Sequence, residues 1–187
     1  MKNRLKTEDQ RPKTIRKKEE NAMQKLKTGE EILFSGYVYT SRDQAHKKLA
    51  DLIKKNKKLP LDLSGQIIYY CGPTETPKGK VIGSCGPTTS NRMDEFVESL
   101  LKSGVVAMIG KGTRSKKVCE LIKKYKCVYF IAPGGCGALL AERVLSKELV
   151  CFKELGPEAV YKLKVTEFPL IVAIDSKGNN IYQRLQK

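Results

Sequence analysis

Val105-Val-Ala-Met-Ile109, then Gly110-Lys-Gly-Thr-Arg-Ser115, then Val118, Leu121, Ile122 and Tyr125, then Cys127-Val-Tyr-Phe-Ile-Ala132 decide how this chain is read. The first apolar run has the length and composition of a strand, and the glycine-rich hexapeptide that follows is a turn. The next four apolar residues recur at helical spacing and form one stripe. A second strand runs to Ala132, and Pro133-Gly-Gly-Cys-Gly137 turns the chain again, into a helix expected over about Ala138 to Ser146. Strands alternating with helices through tight glycine turns are βαβ units, which make a largely parallel sheet. The fold class read here is α/β.

Working outward, Glu31-Ile-Leu-Phe-Ser-Gly-Tyr-Val-Tyr39 and Gly65-Gln-Ile-Ile-Tyr-Tyr-Cys-Gly72 read as two earlier strands. Between them, Ser41-Arg-Asp-Gln44 has the capping-box pattern, followed by a helix with Ala45, Leu49, Leu52 and Ile53 on one face. Val81–Cys85 is expected as a short strand, and Phe96, Val97, Leu100 and Leu101 mark a helix. Late in the chain, Phe168–Ile174 is a buried strand. Ser176–Asn180 is expected to turn it back into a hairpin with Ile181–Leu185. Residues 1–12 lack periodicity and 13–27 suit only a marginal helix, so residues 1–25 are expected to be a basic, mobile extension before a domain over 26–187.

The 187 residues carry 36 Lys+Arg against 20 Asp+Glu, a formal charge of +16. Residues 1–28 account for a net +6, and the remaining cations are scattered. A Lys-rich solvated surface, or an acidic partner, explains this at least as well as nucleic acid, because no nucleic-acid motif accompanies the charge. The longest apolar run is far below the roughly 18 residues of a membrane helix. The N-terminus lacks the apolar stretch of a secretory signal. A soluble cytoplasmic protein is the expectation.

The six cysteines are no closer than eight residues apart, and His46 is the only histidine. Buried free thiols in a reducing compartment are the plainer reading, and no metal site is expected within this chain.

Three turns share one design. Thr40-Ser-Arg42, Gly86-Pro-Thr-Thr-Ser-Asn-Arg92 and Gly110-Lys-Gly-Thr-Arg-Ser115 each combine small or hydroxyl residues, a cation and a helix start. Singly, capping and turn geometry explain each of them. If the three converge, Arg42, Arg92 and Lys111 surround a small anion, a carboxylate for instance. The Gly110 turn lacks P-loop spacing and the third glycine of the dinucleotide fingerprint. Thr88 and Thr89 lie in a polar turn, where N-capping is the common role of a threonine. Asp94 reads as a first-turn carboxylate, and His46 as a structural residue. Cys136 lacks a base nearby in sequence.

Four motifs occur in an order that resembles the iron–sulfur hydro-lyases. They are Ser41-Arg-Asp-Gln-Ala-His46, Gly86-Pro-Thr-Thr-Ser-Asn-Arg-Met-Asp94, Gly110-Lys-Gly-Thr-Arg-Ser115 and Ala132-Pro-Gly-Gly-Cys-Gly-Ala-Leu139. The resemblance, over roughly residues 26 to 187, is to the β subunit or C-terminal domain of class I fumarate hydratases and L(+)-tartrate dehydratases. It implies a swivelling three-layer β/β/α domain and reversible hydration of a four-carbon dicarboxylate, with fumarate to malate expected ahead of tartrate. It also implies a [4Fe-4S] cluster held by a separate α subunit. By motif position, Arg42, Arg92 and Lys111 bind the distal substrate carboxylate, and Thr88, among the Lys111 and arginine cations, is the base. A non-catalytic basic module for nucleic acid or an acidic partner is the alternative from a different class.

Overall fold

The short apolar runs at Ile67, Ala107 and Val128 are apolar at every position, and each is buried on both faces. In the computed structural model, which describes residues 12–16 and 20–184, they are neighbouring parallel strands. In chain order the strands are β1 (Lys13–Arg16), β2 (Glu31–Thr40), β3 (Ile67–Tyr69), β4 (Ala107–Gly110), β5 (Val128–Ile131), β6 (Val144–Cys151) and β7 (Val160–Ile174). The helices are α1 (Glu20–Met23), α2 (Asp43–Lys54), α3 (Val97–Lys102), α4 (Lys116–Lys124), α5 (Gly137–Ala141) and α6 (Ile181–Arg184), with 3-10 turns at Ser90–Met93 and Lys153–Glu158.

Strands β2, β3, β4 and β5 pair in parallel in that order. The 15-residue β7 then runs antiparallel both to β5 and to β2, so the sheet closes on itself as a small mixed barrel. One strand reaches both neighbours because it bends. The register with β2 shifts between Phe34 and Gly36, opposite a step where Glu167 adopts φ +44°. Such a bulge adds local twist and lets a long strand curve around a closed sheet. Strand β1 extends the sheet beside β2, and β6 beside β7.

Alternation along each strand separates two cores. Phe34, Ile67, Tyr69, Ile109, Phe130 and Phe168 belong to the cluster that fills the barrel. Their neighbours Ile68, Tyr70, Met108 and Tyr129 belong to a second cluster with Val97, Leu101, Val118 and Ile122 of α3 and α4. All of these side chains are almost fully buried. At about 1.5–3 kcal/mol for each large apolar side chain buried, neither strand face can be left to water. The α/β class and the parallel strands therefore hold, in the layered β/β/α arrangement expected.

Four local expectations are corrected. Lys13–Arg16 lies in a strand rather than the marginal helix expected over 13–27, and among the described residues of that stretch the helix covers Glu20–Met23. Pairing with an open edge of β2, and burial of Met23 and Leu26, outweigh the weak propensity of an isolated short helix. The extension expected over residues 1–25 includes the strand Lys13–Arg16, while its residues 1–11 and 17–19 lie outside the described residues. Val81–Cys85 is not a strand: it is pinned by hydrogen bonds from Thr74 N–H to the Ser84 carbonyl and from Cys85 N–H to the Gly137 carbonyl.

The helix expected to run to Ser146 stops at Ala141, because Val144 onward pairs with β7. The C-terminal hairpin is instead a turn followed by α6. The Asp175 carboxylate accepts the N–H groups of Lys177 and Asn179, and Asn180 Oδ1 accepts Tyr182 N–H, which starts a helical turn.

A candidate anion site at the strand ends

Four loops leave the C-terminal ends of β2, β3, β4 and β5 on the same side of the sheet, and they carry every cation singled out in the sequence. Crevices at this end of parallel strands are where α/β sheets bind ligands. Arg42 directly follows the β2 exit and is the N-cap residue of α2, in extended conformation. The capping box expected at Ser41–Gln44 does not form. The cap position is Arg42 and not Ser41, and no side chain caps the helix. Ser41 Oγ instead lies 2.8 Å from His46 Nδ1.

Arg42 and Arg92 are brought together by Asp43. Arg92 donates from Nε and Nη2 to the two Asp43 carboxylate oxygens at 2.9 and 2.8 Å. Arg42 Nε donates to Asp43 Oδ2 at 3.2 Å, and its Nη2 lies 3.6 Å from Glu158. Arg42 also packs over Gly72, just past β3: a Cβ there would come within 2.9 Å of Arg42 Cδ.

Thr88 joins the same end of the sheet through its backbone. Its N–H donates to the Tyr70 carbonyl at 2.6 Å, and its carbonyl accepts the Lys111 N–H at 3.3 Å. Thr89 and Lys111 form a parallel bridge, so the 86–92 loop continues the sheet beside the exit of β4. The exposed Lys111 side chain reaches the β5 exit, where a Cβ on Gly134 would lie 4.0 Å from its Cδ.

Behind this surface the two loops are held from below. Ser90 Oγ accepts the Lys111 N–H at 3.1 Å and hydrogen-bonds with the Tyr129 hydroxyl at 2.8 Å, which also lies 2.9 Å from the Gly112 carbonyl. Gly110 is required here, since a Cβ would overlap Ser90 Oγ. Arg114, in the same motif as Lys111, does not line the site. Its side chain is fully buried, with the guanidinium carbon 5.2 Å from the ring centres of both Tyr70 and Tyr129. Its Nε lies 2.8 Å from Asp94 Oδ1, while Asp94 Oδ2 accepts the Ser115 N–H at 2.8 Å. Asp94 is thus not a first-turn carboxylate of the helix that follows it: it ends the 3-10 turn, ahead of the α3 cap at Phe96. It ties the end of one loop to the start of α4.

His46 is fully buried, edge-on to the Tyr70 ring at 5.1 Å. Burial, reinforced by the nearby Arg114 charge, pushes its pKa down to about 3. An unfolded histidine titrates near 6.5. Between these values the unfolded chain binds the extra proton, so the contribution of neutral His46 is complete above pH 6.5 and is lost as pH falls toward 3. Urea unfolding at a series of pH values is expected to show stability falling from pH 6.5 downward, with a shallower slope in His46→Phe. An equal slope in the variant would assign the acid sensitivity to other groups.

The cysteines do not build a cluster site. All six are free, and among the described residues no group of three or more His, Cys, Asp or Glu side chains could hold a metal ion. Burial raises the thiol pKa of Cys85 and Cys151 to about 11 and of Cys127 to about 12, which disfavours the thiolate a metal needs. The residues of this chain do not fit a [4Fe-4S] cluster. Among the described residues no helix is long and apolar enough to cross a membrane.

Residues 2–185 match the family described as Fumarase C-terminus. The chain is 44% identical over 180 residues to a Methanocaldococcus jannaschii protein called putative L(+)-tartrate dehydratase subunit beta, covering 93% of this chain and 92% of that one. It is 40% identical over 157 residues to the aerobic class I fumarate hydratase of Escherichia coli K12, covering 83% of this chain but 29% of the enzyme. Fumarate hydratase 2 of Leishmania major is 39% identical over 160 residues, with 83% and 28% covered. The chain thus spans under a third of these fumarate hydratases and nearly all of the archaeal protein.

Proposed function

Because the chain belongs to the fumarase C-terminus family, we propose that it is the β-type subunit of a cytoplasmic iron–sulfur hydro-lyase that adds water to, or removes it from, a four-carbon dicarboxylate. The observation that carries the reading is the shared carboxylate: Arg42 and Arg92, from different loops, both engage Asp43. A surface that already places two guanidinium groups around one carboxylate can place them around another, with Lys111 at the neighbouring strand end.

In this reading Arg42, Arg92 and Lys111 hold the substrate carboxylate remote from the hydroxyl. Thr88 takes the proton from the carbon beside the one bearing the hydroxyl. The cations favour both the threonine alkoxide and the charge that gathers on the substrate carboxylate. The cluster belongs to an α subunit, which corresponds to the part of the fumarate hydratases outside the matched region. Fumarate is the first substrate proposed. Tartrate is the second reading, favoured by the name of the archaeal relative that this chain covers almost end to end.

Co-expression with a cluster-bearing α subunit, followed by anaerobic assay on malate, fumarate and tartrate, tests the proposal. Turnover that needs both chains is expected, and the preferred substrate chooses between the two readings. An intact cluster on the α chain with neither complex nor turnover would overturn the enzyme reading in favour of a basic binding module. Salt-sensitive binding of nucleic acid would then identify that module's partner.

A further inference from the structure

Asp43 is not one of the anion-site cations, yet it contacts both arginines of that site. Its carboxylate takes one particular edge of Arg92, the edge formed by Nε and Nη2. A guanidinium has five N–H donors in a planar fork, so the end-on edge formed by Nη1 and the second Nη2 proton is left over. That edge makes no hydrogen bond among the described residues. On Arg42 the sharing is different: Nε faces Asp43, Nη2 lies 3.6 Å from Glu158, and Nη1 packs over Gly72, so this side chain is held on all sides and, of the two, Arg92 alone offers a free edge.

Asp43 itself is poorly placed to leave. It is the first residue of α2, where a negative charge is favoured by the helix dipole, and its side chain is only 23% exposed. Arg92, by contrast, has a side chain 50% exposed and sits on a 3-10 turn. A long side chain of that exposure samples many rotamers unless something holds it, and ordering it on ligand binding weakens the binding.

We propose that Asp43 is a positioning residue, a built-in carboxylate that holds Arg42 and Arg92 from their Nε sides so that the free edge of Arg92 meets an incoming carboxylate beside a fixed Arg42. The inference rests on the reading of these two arginines as carboxylate holders. It differs from a competing arrangement in which Asp43 occupies the substrate's own place and must be displaced, because an occupant would cover the edge that the ligand needs.

The test is an equilibrium titration of the full chain with succinate, alone and in the two-subunit complex, comparing wild type, Asp43→Asn and Asp43→Glu. The expected result is at least tenfold weaker succinate binding in Asp43→Asn and partial recovery in Asp43→Glu. In the complex, KM should rise by a similar factor and kcat change less than threefold. The Arg42 and Arg92 Nε–H resonances in the chain's NMR spectrum should be protected in wild type and lost in Asp43→Asn. This signature is read in the folded wild type, so it decides even if a variant unfolds.

Unchanged or tighter binding in Asp43→Asn, or unprotected Nε–H groups in wild type, would overturn the inference while leaving the hydro-lyase reading standing. Succinate binding that depends on Asp43, without turnover of any dicarboxylate by a complex with an intact cluster, would do the reverse. Absence of succinate binding to the wild type, both alone and in the complex, would overturn both.

Discussion

Thr88→Val is expected to lower kcat of the reconstituted two-subunit enzyme by about 10²–10⁴-fold, the usual range for loss of a general acid or base, with KM within a few-fold. The fold has no need of the hydroxyl. Thr88 is anchored by its N–H on Tyr70 and its carbonyl on Lys111, and its side chain makes no hydrogen bond among the described residues. Valine reproduces the shape and the β-branching, so the loop keeps its path and the cations keep their places. A threonine hydroxyl becomes a base only where its alkoxide is stabilised, and the Lys111 backbone bridge brings a cation-bearing loop beside it. Thr88→Ser, which keeps the oxygen, should retain much of the turnover. Near-normal kcat in Thr88→Val would remove Thr88 from the proton transfer and leave the turn with an anchoring role.

Arg114→Met is expected to cost about 3–5 kcal/mol of folding stability, the range for breaking a buried pair by removing one partner. Its guanidinium is fully buried between Tyr70 and Tyr129 and is the counter-charge of Asp94. Methionine replaces much of the volume but leaves the largely buried Asp94 without its cation. For a domain of this size about 1 kcal/mol corresponds to roughly 2–4 °C, so the melting temperature should fall by about 6–20 °C. Adding Asp94→Asn should return a good part of the loss, because the uncompensated charge goes with it. A loss below about 1 kcal/mol in the single variant would mean that ring packing, and not the ion pair, holds these loops.

Strand by strand, what could be read from the sequence followed what water demands. The β4 and β5 segments are short and apolar throughout, and both faces of each are buried, so their parallel neighbours could be expected. The closure of the barrel could not. It depends on β7 finding two partners at once, and nothing within Val160–Ile174 states which strands those are.

Capping failed for a related reason. Ser41 has the right type and spacing for an N-cap, but the burial of His46 brings its ring to Ser41 Oγ, so the cap position passes to Arg42. At the candidate site the sequence singled out the cations because each sits in a glycine or hydroxyl-rich turn. It did not single out their shared partner, because Asp43 looks like an ordinary first-turn carboxylate until Arg92, 49 positions away, is seen to grip it. Arg114 could be noticed beside Lys111 but not placed, since only the fold shows that one residue faces water and the other lies between two tyrosines.

The bent β7 strand also sets a clock. Glu31 pairs with Ile171, 140 positions later, so β2 waits for a strand made long after it. Until then β2 to β5 form at most an open parallel sheet whose inner face, with Phe34, Tyr69 and Phe130, has nothing to cover it. Contacts this far apart in the chain slow folding, because loop entropy is lost before any pairing compensates it. The growing chain therefore carries this apolar face uncovered from the completion of β5 until β7 has been made. During that interval an uncovered apolar face and unpaired strand edges make aggregation the competing outcome.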